Sequence, residues 1–246
     1  YIPIHQPVNA RNDKEIKLWN KMKSSIVTEN NFINYSEINN KIKDIDIFIV
    51  ENIRTSRRFM KKMYKEKNID STLFYSYGKH DKLNLEEEFL PHIYQGKDVG
   101  IISEAGVPCV ADPGSKIVNF AHKFQIEVVP LVGPSSILLA LMSSGLNGQN
   151  FAFIGYLPID KSERSRKIKD LEVLSRRTQQ TQIFMETPYR NIQLFESILK
   201  VCSKSTKLCV ASNITLDSKN IKTKTIEEWR SENPPNIHKS LYLVAS

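Results

Sequence analysis

Short apolar runs alternate along this chain with longer amphipathic stretches, and the period changes from one to the next as successive strand-helix units require. In the first half IDIFIVE (residues 45–51), STLFYSY (71–77) and DVGIIS (98–103) read as strands. The basic stretch TSRRFMKKMYKEK (55–67) and NLEEEFLPHIYQ (84–95) read as the helices between them. Thr55 is the expected cap of the first helix. Acidic residues sit at the favourable N-terminus of the second, where Pro91 predicts a kink. A helix over residues 115–124 and the strand IEVVPLV (126–132) then complete a βαβ unit whose crossover should be right-handed.

From Gly133 the chain turns through GPSS into SSILLALMSSGL, an apolar helix with a serine cap and a glycine stop at Gly145. A second series comes next: FAFIGYL, a basic helix over 161–177, TQIFME, NIQLFESILKVC, KLCVASNI, a helix around TIEEWRSE, and SLYLVAS. The pattern predicts two α/β domains of similar size, residues 1–131 and 132–246, with a ligand cleft between them.

Composition bounds the partners. The 246 residues are 40% hydrophobic and 25% charged, as a soluble globular protein requires. Lys and Arg outnumber Asp and Glu by 35 to 27, for a formal net charge of +8. That excess invites a polyanionic partner, although a general abundance of Lys, Asn and Ile produces it equally well. Cys109, Cys202 and Cys209 form no CxxC or Cys/His pattern, and no secretory segment opens the chain, so a reduced, cytoplasmic setting is expected, with no metal site. No apolar run approaches the ~18 residues of a membrane span.

The loop EAGVPCVADPG (104–114) follows an apolar strand, the place where α/β sheets hold their ligands. It offers carboxylates rather than a phosphate cradle. Neither GxGxxG nor GxxxxGK[ST] occurs, which argues against a nicotinamide-dependent oxidoreductase. Glu104 and Asp112 would repel phosphates and suit a ligand with hydroxyl donors or positive charge. S-adenosylmethionine, with a ribose diol, an ammonium and a sulfonium, is such a ligand. On the residues alone the loop is also consistent with two turns whose acids are solvated or cap the next helix.

The order VENIRTSRR, ISEAGVPCVADPG, PLVGPSSILLALMSSGL, FIGYLP, METPYRN resembles the tetrapyrrole methylase superfamily of S-adenosylmethionine-dependent methyltransferases. Within it the chain looks most like the branch that methylates a cytidine ribose 2′-hydroxyl in small-subunit ribosomal RNA. The likeness begins near residue 45 and covers most of the chain beyond that point. It implies two α/β domains with the donor in the cleft between them, and a homodimer. It also implies that Glu104, Ala105, Gly106, Val107, Pro108 and Asp112 form the donor-binding loop, that Ser135 and Ser136 follow the interdomain turn, and that Met185 and Ala211 face the adenosine. The chain departs from the family at IHQPVN (4–9), where a glycine-containing turn is usual, and at Glu51-Asn52, where the family has two acids.

On the acceptor side Glu51, at a strand end, either orients the acceptor or pairs with Arg54 or Arg57. Arg54, Arg57 and Arg58 resemble the family's strand-end arginines and suit phosphate contacts, while a solvated helix face explains Arg58 as well. Tyr189 and Arg190 stand at a strand-to-helix turn, where they bind substrate or simply pack. His80 lies just past a strand end, as a proton acceptor or a surface residue. Transfer to a ribose hydroxyl needs the acceptor held in line and its proton removed. Glu51, His80 and Glu104 are the bases on offer, with Arg54 beside them. Two basic segments, and Phe59, Tyr75, Tyr77 and Tyr189 as stacking surfaces, favour ribosomal RNA or the small ribosomal subunit as acceptor. A tetrapyrrole or other small molecule, or a non-catalytic protein with a decayed site, is the alternative.

Overall fold

The computed structural model describes residues 3–5, 42–77, 84–131, 133, 135–232 and 240–246. The turn at residues 6–9, His80 and Pro134 lie outside the described residues. The chain divides between Pro134 and Ser135 into two compact units.

The first unit is built on a four-stranded sheet, all its pairs parallel, in the order β1 (Pro3–His5), β4 (Val99–Ser103), β2 (Ile47–Val50), β3 (Leu73–Ser76). The continuous apolar run IFIV makes β2 a central strand, because both of its faces need covering. Phe48 and Val50 pack with Met60 of helix α1 (Ile53–Met63) and with Tyr64 and Ile69. Ile47 and Ile49 pack on the other face, with Phe89 of α2 (Leu85–Tyr94) and Ile117 of α3 (Ser115–Lys123). Each such fully buried side chain contributes about 1.5–3 kcal/mol. Gly100 pairs with Phe48, and a Cβ there would lie 2.7 Å from the Phe48 ring, so the neighbouring strand has to be bare at that point.

Two local expectations are corrected. The cap of α1 is Asn52, whose Oδ1 accepts the Thr55 N–H at 3.2 Å, so Thr55 lies inside the first turn. The helix begins two residues before it because Asn52 offers the better-placed acceptor. The run IEVVPLV forms no strand over residues 126–131, where Pro130 supplies no ladder donor.

The second unit is a five-stranded mixed sheet in the order β5 (Phe151–Tyr156), β6 (Thr181–Glu186), β9 (Ser240–Ala245), β7 (Lys207–Ser212), β8 (Asn220–Thr225). Strand β9 runs antiparallel to both neighbours. Phe184, Tyr242 and Val210, level with one another, face α5 (Lys161–Thr178), α6 (Asn191–Val201) and α7 (Ile226–Arg230) through Ile168, Leu171, Phe195, Ile198 and Trp229. The opposite face, with Ile183, Leu243 and Cys209, is covered by Ile137, Ala140 and Leu141 of α4 (Ser136–Ser144). Gly145 ends α4 at φ 69°, the left-handed stop expected of it. Strand β8, NIKTKT, carries no apolar alternation and went unmarked in the sequence.

Candidate functional site

In the first unit the carboxyl ends of β2 and β4 are neighbours although the two strands are not consecutive in the chain. The chain leaves β2 for β3 on one side and returns past β2 to reach β4, so the loops after β2 and β4 open beside each other, the usual ligand position of a parallel sheet.

Those loops are tied together by side chains. The main-chain N–H of Glu104, directly after β4, donates to Glu51 Oε1 at 2.9 Å. The Thr55 hydroxyl, in the first turn of α1, donates to the Glu104 carboxylate. The backbone and the side chain of Glu104 are thus both fixed from the β2–α1 turn. Ser103 Oγ, buried, reaches the Gly106 carbonyl at 3.3 Å. Gly106 itself has φ 84°, and a Cβ on it would stand 3.3 Å from Asp112 Oδ2. The loop closes on itself through Val110 N–H to the Val107 carbonyl (3.2 Å) and Cys109 N–H to the Pro113 carbonyl (3.3 Å). Cys109 and Ala111 adopt φ 71° and 60°, left-handed values that cost a non-glycine residue about 1–2 kcal/mol each.

Partial burial pushes the Asp112 carboxyl up to about 7, and the negative charge of Glu51 adds to the effect. Three carboxyl groups, Glu51, Glu104 and Asp112, converge on a loop with no basic side chain of its own. The set accepts hydrogen bonds from hydroxyls or an ammonium and turns phosphate away. Of the remaining loop residues, Ala105 is exposed, Val107 half-buried and Pro108 buried.

Arg54 is exposed on α1. Arg57 is engaged within the unit: its Nη2 pairs with Asp70 Oδ1 at 2.7 Å and its guanidinium lies 5.6 Å from the Phe74 ring centroid. Three of the four aromatic residues expected to stack on a base are half-buried and pack in part against the core. Phe59 lies against the Phe48 cluster, and Tyr75 and Tyr77 against the Phe89 cluster. The Tyr75 hydroxyl lies 3.3 Å from His92 Nε2.

In the second unit the strand register brings together residues far apart in the chain. Leu241 pairs with Met185 on one side and with Ala211 on the other, so all three share one level and one face. That face belongs to the cluster that includes Ile137 of α4, the helix that Ser135 caps and Ser136 opens. Beyond Met185, Glu186 is buried, and its Oε1 accepts from Thr187 N–H (2.7 Å), Thr187 Oγ1 (3.1 Å), Arg190 Nε (3.1 Å) and Arg190 Nη2 (2.6 Å). Tyr189, in the single turn Pro188–Arg190, is 80% exposed.

Sequence reasoning missed Thr55 as a partner of Glu104 and Glu186 as the anchor of Arg190. The second had a signal: a carboxylate closing an apolar strand with an arginine four residues on. The first had none, since the partners are separated by the whole β2-to-β4 excursion.

No protein-family model matches the chain. It is 29% identical over 195 residues to the ribosomal RNA small subunit methyltransferase I of Buchnera aphidicola subsp. Acyrthosiphon pisum, covering 78% of this chain and 66% of that one. It is 30% identical over 194 residues to the protein of the same name from Bacillus subtilis, covering 78% and 63%. With the Halalkalibacterium halodurans protein of that name it shares 30% identity over 160 residues, 65% of this chain and 52% of that one. The chain thus spans between about half and two thirds of the length of these curated relatives. Among solved structures, that of the methyltransferase CobJ superposes with a TM-score of 0.55 at 13% identity, over 85% of this chain and 87% of its own. The α/β fold of this chain is therefore that of the methyltransferase CobJ, and its sequence is similar to ribosomal RNA small subunit methyltransferases I.

Proposed function

We propose that the chain is an S-adenosylmethionine-dependent methyltransferase of the tetrapyrrole methylase superfamily, acting on a ribose 2′-hydroxyl of small-subunit ribosomal RNA. The observation that carries the donor reading is the loop after β4, where Gly106 at positive φ lies against Asp112 and the Glu104 carboxylate is pinned by Thr55. An acid-lined turn with a glycine at its closest point fits a diol and an ammonium and rejects a pyrophosphate. Relatives bearing the ribosomal RNA methyltransferase name support the acceptor. So do the exposed basic side chains Arg54, Arg58 and Lys61 on α1 and Arg166 and Lys167 on α5.

In this reading the 104–114 loop, Ser135, Ser136, Met185 and Ala211 hold the donor, which supplies an activated methyl group. Glu51 and Arg54 border the acceptor, and Tyr189 offers an exposed ring to a base. Asp112 joins Glu51 and Glu104 as a proton acceptor, because a carboxyl titrating at about 7 is divided between its two forms at neutral pH. The enzyme works in the cytoplasm, as a homodimer, and requires no metal.

Calorimetry with the donor and its demethylated product tests the first half, and absence of binding for both at millimolar concentration rejects it. Labelled donor incubated with small ribosomal subunits, free ribosomal RNA and a uroporphyrinogen-type tetrapyrrole tests the second. Label on a ribose oxygen is expected, and label on a macrocycle carbon transfers the reading to tetrapyrroles.

A further inference from the structure

Arg190 is held unusually firmly for a residue at a loop. Its Nε and Nη2 both donate to Oε1 of Glu186, whose side chain is 1% exposed, and its own side chain is 15% exposed. Behind it, Asn191 is fully buried and accepts the Tyr242 hydroxyl on both its carbonyl (3.1 Å) and its Oδ1 (3.2 Å), which fixes the start of α6. One edge of the guanidinium is left over. Nη1 is buried and has no hydrogen-bond partner among the described residues.

An orphaned N–H on a charged group is costly, and native proteins keep one where something else uses it. The Tyr189 ring lies over the guanidinium, with its centroid 5.9 Å from Cζ, and is itself 80% exposed. The turn carrying both residues follows directly on β6, whose Met185 belongs to the proposed donor site.

We propose that Arg190 Nη1 receives an oxyanion of the substrates, with Glu186 as the positioning residue that aims it. The inference rests on the methyltransferase reading, which offers two sources of such an oxygen: the carboxylate of the methyl donor and a phosphodiester of the RNA. A guanidinium clamped on one edge presents the other already oriented, so little entropy is lost on contact.

The test uses the full chain as wild type, Arg190→Gln and Arg190→Lys. Each is titrated with S-adenosylhomocysteine, with its decarboxylated analogue, and with small-subunit ribosomal RNA over a salt series. Arg190→Lys keeps the charge and the pairing with Glu186 but not the planar fork, so if Arg190→Gln does not fold, a loss of about tenfold in RNA affinity at unchanged slope in Arg190→Lys takes the place of the fall in slope. A loss of about tenfold or more for S-adenosylhomocysteine, absent for the decarboxylated analogue, assigns the oxyanion to the donor. A fall of about one in the slope of log K against log salt, with product affinity unchanged, assigns it to the RNA. Affinities within twofold of wild type for all three ligands, at unchanged salt slope, overturn the inference alone, as does an equal loss for both small ligands. A wild-type protein that binds neither product nor RNA rejects the methyltransferase reading and the inference with it.

Discussion

The Thr55 hydroxyl has two acceptors in reach, the Asn52 carbonyl at 3.1 Å and the Glu104 carboxylate, and the charged acceptor is the stronger. Thr55→Val removes the donor at nearly constant volume, so it should weaken binding of S-adenosylhomocysteine about five- to tenfold while costing about 1 kcal/mol of stability or less. Thr55→Ser should restore binding, and calorimetry beside thermal melts separates the two effects. Asp112 makes a prediction about pH. Its folded carboxyl sits at about 7, above the ordinary value of 3.8, through desolvation first and Glu51 second. A raised folded value means that the native state holds the proton more tightly than the unfolded chain. The contribution is complete below the unfolded value and is lost as pH rises through about 7. Asp112→Asn should therefore gain about 1–2 kcal/mol on wild type between pH 5 and 8, after allowance for solvent screening of a half-exposed group. Denaturant melts at the two pH values check it, and equal differences at both would refute it. The sequence displayed Glu104 and Asp112 as acids in a loop. It did not display that Glu51 and Thr55 hold one of them, because that depends on the strand order.

At the scale of elements, the best-anchored helix is α5. The buried carboxylate of Glu172 accepts from Lys169 Nζ at 2.7 Å, Ser203 N–H at 2.6 Å and Thr206 Oγ1 at 2.5 Å, tying the helix to the turn before β7. Those bonds hold its carboxyl below the usual value despite burial. Glu172→Ala takes the acceptor from the buried Thr206 hydroxyl and the half-buried Ser203 N–H and should cost about 2–3 kcal/mol, whereas Glu172→Gln should cost about 1–2. Denaturant midpoints at neutral pH give both values. Strands with continuous apolar runs, such as IFIV and LCVAS, were legible, since only a sheet covered on two faces tolerates them. Residues 126–131 misled because composition alone does not say whether a neighbour is available to pair with them. Strand β8 was invisible because its Lys222 and Thr223 are exposed and its pairing with β7 alone makes it a strand. Of the candidate site, the glycine and acids of the 104–114 loop were readable from local chemistry. The grouping of Met185, Leu241 and Ala211 needed a register that no local pattern encodes.

For the whole molecule, the charge distribution makes a prediction that does not depend on any one side chain. The net charge of +8 is carried in part by exposed residues on α1 and α5. Replacing Arg58, Lys61, Arg166 and Lys167 together by Gln should lower the salt slope of RNA binding by about one for each phosphate left without a cation. Stability should change by less than about 0.5 kcal/mol per site, since all four are solvent-exposed. An unchanged slope would locate the RNA elsewhere. The Gly-Pro turn and the restart of the α/β series lie close to the point between Pro134 and Ser135 where the chain divides into two compact units. The antiparallel insertion of β9 was not legible, because SLYLVAS reads as a buried strand whichever way it runs. That insertion bears on how the protein is made. The strand joining β6 to β7 is the last of the five to leave the ribosome, so until residue 245 has emerged the second sheet exists only as two halves with bare apolar edges. Those edges are open to wrong pairing during synthesis. The first unit's strands have all been made by then, and a nascent chain stalled before Ser240 should be cut by protease throughout its second unit while its first is spared.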